Sequence, residues 1–127
     1  MEIKKKISLP DGPIQLTASG AITGKEILQA LQELLTDPDF KTNMDVLWDF
    51  RAVTTRNIDT QEIKDLVTFI RANQTKRGSD YRVALVVSQD LHYGLARMYE
   101  AYSQDLPAQI KIFGNLEEAI AWLKLIG

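Results

Sequence analysis

The residues of this chain that could do chemistry are polar side chains expected at the carboxyl ends of parallel strands. Such strand ends meet at one edge of an open α/β sheet, which is where these sheets gather ligands. Nearby helix N-termini, together with an arginine, can hold a small anion there. The side chains that the pattern places at this edge are Asp49, Arg51, Thr54, Thr55, Ser88, Gln89 and Asn115. The sequence therefore predicts a ligand-binding site at this edge, with ordinary capping and turn roles as the alternative.

Few other side chains of this sequence are candidates for catalysis or for metal binding. His92 is the only histidine, and we expect it to be a partly exposed structural residue in the first turn of a helix. The absence of cysteine excludes disulfides, thiolate nucleophiles and zinc–thiolate sites together. Carboxylates such as Asp49 and Asp90 are left for a metal, but a loop hydrogen bond and a helix-dipole interaction explain them. We therefore expect no catalytic residue, no metal and no cofactor, and a protein that is not an enzyme.

The strand and helix that must position these side chains lie between residues 81 and 102. Residues 82–87 are almost continuously apolar, which is typical of a strand buried on both faces. Apolar residues at helical spacing follow, and they predict a helix face that packs on the sheet. The residues of that face are Leu91, Leu95, Met98 and Tyr102. Gly94 costs this helix about 1 kcal/mol relative to alanine, so we expect close packing around it.

Alternation and capping signals predict the other elements. Residues 1–20 alternate with period two around a turn at 9–13, which indicates a β-hairpin. Thr23 with Glu26, and Asp59 with Glu62, have the spacing of capping boxes at helix starts. The remaining predictions are a strand over 44–50, a strand over 108–113 and a helix after Asn115.

These elements together predict an α/β fold. It is a single domain with a mixed five-stranded sheet, formed by an N-terminal hairpin and then βαβαβα. The strands near 45–50, 83–88 and 109–113 are expected to be parallel. The residues expected to be largely buried are Trp48, Val83, Leu85, Val87, Leu91, Leu95 and Ile120.

Right-handed crossovers would place the connecting helices on one face of this sheet. The opposite face would then carry Thr17, Leu47, Ala84, Val86 and Lys111 without a helix to cover it. Exposed apolar patches mark interfaces, and a two-fold dimer is the commonest solution. We therefore expect a homodimer, with an interface at Leu47 and Val86 or at the helix-surface residues Phe69 and Tyr93.

An apolar ligand is an alternative use for the aromatic residues. Several of them lie on or beside the helix over 91–102, or off the core face of another helix. They are Phe69, Tyr93, Tyr99, Tyr102 and Trp122, with Met98 beside them. Core and interface roles are the preferred explanation for most of them, because 127 residues leave little room for a cavity once a core is filled.

Composition narrows the class of protein. The chain is 45% hydrophobic and 25% charged, as is ordinary for a globular domain. A net charge of −2 argues against nucleic-acid binding, which favours basic surfaces. No apolar run approaches the roughly 18 residues of a membrane span, and the N-terminal lysines precede no signal-peptide core. We therefore expect a cytoplasmic protein.

Four segments resemble one family. VLWDFRAVT, RVALVVS, YGLARMYEAY and IKIFGNLEEAIAWL are similar to the small bacterial STAS/SEC14-like domains, the SpoIIAA-like proteins related to anti-sigma-factor antagonists. The resemblance covers most of residues 44–125 and implies a STAS-like mixed sheet. It also implies a non-enzymatic interaction or regulatory module, while its SEC14 side implies a small-ligand or lipid-binding domain as the alternative.

The same resemblance raises the question of a phosphorylation switch. Antagonists of this type carry an Asp-Ser-Ser-Gly-like motif, whereas the corresponding segment here reads VTTRNIDTQEI, with neither serine nor glycine. Only Asp59 and Thr60 match the start of the motif, and Asp59 is explained as a helix cap. We therefore predict that the chain is not a serine-phosphorylation switch.

Overall fold

The computed structural model describes residues 2–7 and 13–124. Its elements are β1 Glu2–Ile7, β2 Ile14–Gly20, α1 Gly24–Leu35, β3 Val46–Val53, α2 Thr60–Ala72, α3 Gln74–Arg77, β4 Tyr81–Val86, α4 Asp90–Tyr102, β5 Ala108–Phe113 and α5 Leu116–Lys124. The five strands form one sheet in the order β1-β2-β3-β4-β5. β1 is antiparallel to β2, and the other neighbours are parallel. The predicted fold class is therefore confirmed, although Met1 and most of the turn expected at residues 9–13 lie outside the described residues.

β3 and β4 lie inside the sheet, and their side chains alternate between two buried layers. Period-two alternation sends successive residues to opposite faces, so both faces of these strands need a covering layer. The predicted core residues that are buried here are Trp48, Val83, Leu85 and Val87. Leu95 and Ile120, also expected to be buried, are half-buried.

β3 is longer than the sequence predicts. It continues to Val53 instead of ending at Phe50, because Ala52 and Val53 pair with the last two residues of β2. Arg51 therefore lies within the strand, as Asp49 does, and not in a loop that follows it.

α1, α2 and α4 cover one face of the sheet, with α2 in contact with both of the others. Both predicted capping boxes are present. The side chains of Thr23 and Asp59 accept hydrogen bonds from the backbone N–H groups of Glu26 and Glu62, whose carboxylates accept from the two caps in return. The short helix α3 forms between α2 and β4.

α4 turns a different face to the sheet from the one that the sequence predicts. Leu91 is 41% exposed, so its expected burial is wrong. The residues that face inward are His92, Ala96, Tyr99 and Ser103, with the half-buried Leu95 and Tyr102 of the predicted face beside them. Both sets have the spacing i, i+4, i+7 and i+11, and a shift of one residue rotates a helix by about 100°. The helix thus places smaller side chains against the sheet.

α5 lies on the opposite face of the sheet, which we expected to be uncovered. Leu47 and Val86 are 1% and 0% exposed there, packed against Ala119 and Leu123 of α5. The interface predicted at Leu47 and Val86 is therefore wrong, because these side chains form the core beneath a helix.

α5 differs from the helices of the other face in its connections. Among the described elements it does not link two strands of the sheet, so the crossover rule that places α1, α2 and α4 does not apply to it. Burial of the apolar face then decides its position. Arg82 of β4 also binds α5 to the sheet. Its Nη1 donates a hydrogen bond to the Trp122 carbonyl at 2.6 Å, and its guanidinium lies 4.9 Å from the centre of the Trp122 ring.

Gly94→Ala is expected to raise the free energy of unfolding by about 1 kcal/mol. An ideal Cβ at Gly94 has no described heavy atom within 4 Å, so the close packing that we expected is wrong. Urea denaturation should show a higher midpoint with an unchanged slope. A lower midpoint would contradict the open surroundings of Gly94.

Gly24→Ala is the matched control in another helix. An ideal Cβ there would lie 2.8 Å from the Cβ of Glu62, closer than such atoms approach. The same helix-propensity gain should therefore be outweighed by a clash between α1 and α2, and the urea midpoint should fall.

Candidate functional site

An apolar cavity of about 80 Å³ lies between the sheet and the three helices on its main face. All three helices contribute lining side chains, together with β3 and β4. The helix residues are Ile27 and Leu31 of α1, Ile63 and Leu66 of α2, and His92, Leu95, Ala96 and Tyr99 of α4. The orientation of α4 creates this space, because Ala96 faces the sheet where a larger side chain would fill it.

The strand side of the cavity is an aromatic wall. The rings of Trp48 and Phe50 stack with centroids 5.4 Å apart and planes only 7° from parallel. Phe50, Ile58 and Leu95 are half-buried lining residues, so the cavity approaches the surface beside them. A flat aromatic surface of this kind favours an apolar or aromatic partner.

The most polar side chain in the lining of this cavity is that of His92. It is 5% exposed, so the expectation of a partly exposed histidine is wrong. Its Nε2 lies 2.7 Å from the carbonyl oxygen of Thr55, in the loop after β3. Its Nδ1 is buried and has no hydrogen-bond partner among the described residues. The helical spacing of His92, Ala96 and Tyr99 could have predicted that they share a buried face. The neighbouring stripe that begins at Leu91 is more apolar, however, and the sequence therefore favoured that stripe.

Asp49 and Arg51 lie on the opposite face of the sheet from this cavity, because Asp49 is level with Val86 beneath α5. The Asp49 carboxylate accepts from Arg51 Nη2 at 2.8 Å and from Nε at 2.9 Å. Burial raises the pKa of the Asp49 carboxyl, but the hydrogen bonds from Arg51 outweigh it and hold that pKa below its ordinary value. Two of the Arg51 side-chain donors are thus directed to Asp49, two residues earlier in the chain.

Ser88 and Gln89 connect the end of β4 to β3. The Ser88 hydroxyl donates to the Arg51 carbonyl at 3.3 Å. The Gln89 amide donates to the Val53 carbonyl at 3.4 Å. Both side chains therefore support the turn between β4 and α4.

The other predicted ligand residues also have structural contacts. The Thr54 N–H donates to the Gly20 carbonyl at 2.9 Å, and the Thr55 hydroxyl donates to the Ile22 carbonyl. Asn115 accepts from a backbone N–H in the first turn of α5 at 2.8 Å. These are the capping and turn roles given as the alternative, and the ligand-binding role of this edge stays a prediction.

The aromatic residues divide between the two layers. Tyr99 lines the cavity on the main face of the sheet. On the other face, Trp122 of α5 packs on Phe113 of β5, with ring centroids 5.6 Å apart. Phe69 and Tyr93, the helix-surface residues expected at an interface, are half-buried against the main core. Their interface role stays a prediction.

A second cavity of about 20 Å³ lies at the amino ends of β3 and β4 and has room for about one water. Arg77 lines it, donating from Nη1 to the Met44 carbonyl at 2.8 Å, with its guanidinium 3.5 Å from the centre of the Tyr81 ring. Burial lowers the pKa of Arg77. Arg77 thus joins the segment before β3 to the start of β4, which is a structural role. The smaller cavity has room only for a water, so we take the larger cavity as the candidate site.

The described residues bring no three His, Asp or Glu side chains into a group that could hold a metal ion. Nor does any helix in the described ranges combine the length and apolar character that crossing a membrane requires.

The sheet order, the N-terminal hairpin and the helices on both faces define a small mixed α/β domain of STAS-like class. The SpoIIAA-like family model matches residues 14–124. The chain belongs to this family, and the resemblance seen in its sequence is confirmed.

A solved structure shares the fold. It is the crystal structure of an uncharacterised protein of the DUF3478 family from Shewanella loihica PV-4, described as having a SpoIIAA-like fold. The two chains are 18% identical over 96% of this chain and 92% of that one, with a TM-score of 0.60. This likeness shows the fold alone. No curated protein matches the chain.

The stability of the protein is expected to fall in acid partly through Asp49. Its pKa is lower in the folded state, so its contribution is present above the unfolded value near 3.8 and is lost as the pH falls through the folded value. Asp49→Asn should therefore flatten the decline in unfolding free energy between about pH 5 and pH 2, measured by urea denaturation.

Asp105→Asn is the control for this measurement. Arg71 also lowers the pKa of Asp105, but that pair is exposed and solvent screens it. Its effect on the acid decline should be the smaller one. Equal effects of the two substitutions would contradict the importance of burial at Asp49.

Proposed function

We propose that this protein is a non-enzymatic binding module that takes a small, mainly apolar molecule into the cavity between the sheet and α1, α2 and α4. The observation that carries the proposal is the cavity itself, with its stacked Trp48–Phe50 wall and one buried imidazole at His92. Pockets of this composition, mostly apolar with few polar groups, are the usual form of small-molecule sites.

The volume sets the size of the molecule. About 80 Å³ is well below the roughly 300 Å³ at which pockets for drug-sized ligands begin. An apolar cavity of about 150 Å³ in another protein binds benzene. The cavity here is about half that size, so binding of a single ring requires the half-buried Ile58 and Leu95 to move outward, and a long lipid chain is far too large. This favours a small ligand over lipid carriage.

The positions of the titratable groups support a non-enzymatic role. Catalytic sites usually combine a base with a nucleophile or a second proton-transfer group. Asp49 lies across the sheet from the cavity, and the described lining holds no carboxylate, lysine or serine beside His92. The lining thus offers surfaces for binding, with a single ring nitrogen available for a polar contact.

An interaction role is the second candidate, and the position of β5 favours it. Within the described residues β5 pairs only with β4, so one side of its backbone lies at the edge of the sheet. Unpaired strand edges accept another strand. A second copy of this chain could pair there, giving the homodimer expected from the sequence.

Ala96→Leu is expected to weaken toluene binding by at least tenfold, because the larger side chain fills the cavity. We expect a Kd of about 0.1–1 mM for the wild-type protein, as is usual for a ligand of seven heavy atoms. Titration followed by protein NMR would measure both values, and native mass spectrometry of freshly purified protein would show any molecule that it retains.

Ala101→Leu is the matched control, since Ala101 lies on the exposed side of α4. It adds the same atoms to the same helix and should leave toluene binding unchanged. The proposal fails if the wild-type protein does not bind toluene or if the two leucine variants bind it equally.

The homodimer is tested separately. Sedimentation equilibrium at tens of micromolar should show a dimer, and Ile110→Pro should dissociate it by distorting the edge strand β5. Only monomer in the wild-type protein would remove the second candidate without affecting the cavity.

A further inference from the structure

The hydrogen bond between His92 and Thr55 determines which imidazole nitrogen carries the proton. A backbone carbonyl oxygen can only accept, so Nε2 at 2.7 Å from the Thr55 carbonyl must be the N–H donor. In the neutral ring the other nitrogen, Nδ1, is then an acceptor without a hydrogen. The backbone of the loop after β3 therefore sets the tautomer.

Nδ1 is an acceptor that the protein leaves unused. It is buried, has no hydrogen-bond partner among the described residues, and belongs to a ring that lines the cavity. Buried polar atoms are usually paired, and an unpaired one is costly. A group that donates to Nδ1 therefore gains a hydrogen bond that nothing in the described protein competes for.

The surroundings of the ring restrict what can supply this donor. Tyr99 carries the other polar group of the lining, and this residue also lines the smaller cavity together with Arg77. A water held at Nδ1 would need two to four polar partners, which an apolar lining does not supply. A carboxylate brings no donor and loses its hydration in the cavity.

We propose that His92 selects ligands that combine a small apolar body with one neutral hydrogen-bond donor, such as a phenol or an alcohol. The donor binds Nδ1 while the body lies against the Trp48–Phe50 wall. This inference rests on the proposed function, since it names the chemical class of molecule that the same cavity takes.

Phenol and toluene are matched probes, because they share shape and size but only phenol donates. The informative quantity is the ratio of their affinities, measured by NMR titration at pH 8 in the wild-type protein and in His92→Gln. A glutamine amide nitrogen can reach the position of Nε2 and keep the bond to Thr55, but it offers nothing at Nδ1. The preference for phenol over toluene should fall about tenfold in this variant, because only phenol loses a hydrogen bond when Nδ1 is removed.

The outcomes separate the two claims. If toluene does not bind the wild-type protein, the proposed function fails. If toluene binds and the phenol preference is the same in both proteins, the role of His92 is overturned and the cavity function stands.

Nitrogen-15 NMR of the wild-type protein provides a second measurement that needs no variant. The chain has one histidine, so its ring signals are assigned without ambiguity. The spectrum should show the Nε2–H tautomer, and phenol should move the Nδ1 resonance whereas toluene should not. An Nδ1–H tautomer, or equal shifts with both probes, would overturn the proposal.

Discussion

The constraint on which this structure depends is that β3 and β4 must be covered on both faces. Trp48 and Leu47 are neighbours in sequence but belong to opposite layers, and both are buried. Three helices supply one layer because they connect parallel strands, and α5 supplies the other. Burial of apolar surface in both layers is the dominant favourable term in such a fold. The second layer therefore follows from the same requirement as the first.

The cavity is a consequence of how the first layer is packed. α4 places His92 and Ala96 against the sheet and leaves Leu91 at the surface, so less apolar volume fills the space opposite Trp48. Interiors are normally close-packed, and lost contacts around a void cost stability. Retaining both a void and an unpaired ring nitrogen is unfavourable for folding alone, which is why the two features together support a binding role.

The polar residues at the strand ends have a different part in the molecule. Ser88 and Gln89 connect β4 to β3, Asn115 caps α5, and Asp49 pairs with Arg51. The contacts of Ser88 and Gln89 support the turn between β4 and α4. The Asp49–Arg51 pair and the Asn115 cap lie on the α5 side of the sheet, away from the cavity. The polar side chain that lines the cavity is instead His92, which we expected to be a partly exposed structural residue.

The sequence by itself determined the features that depend on local signals. Capping boxes at Thr23 and Asp59 mark helix starts, and period-two alternation marks strands, because each involves residues a few positions apart. Only the tertiary structure decided the length of β3, the side taken by α5 and the face of α4. Two stripes on α4 have identical spacing, and the one that faces inward makes contacts with distant parts of the chain, such as the His92 hydrogen bond to the Thr55 carbonyl 37 residues away. Periodicity cannot distinguish faces that differ only in their distant partners.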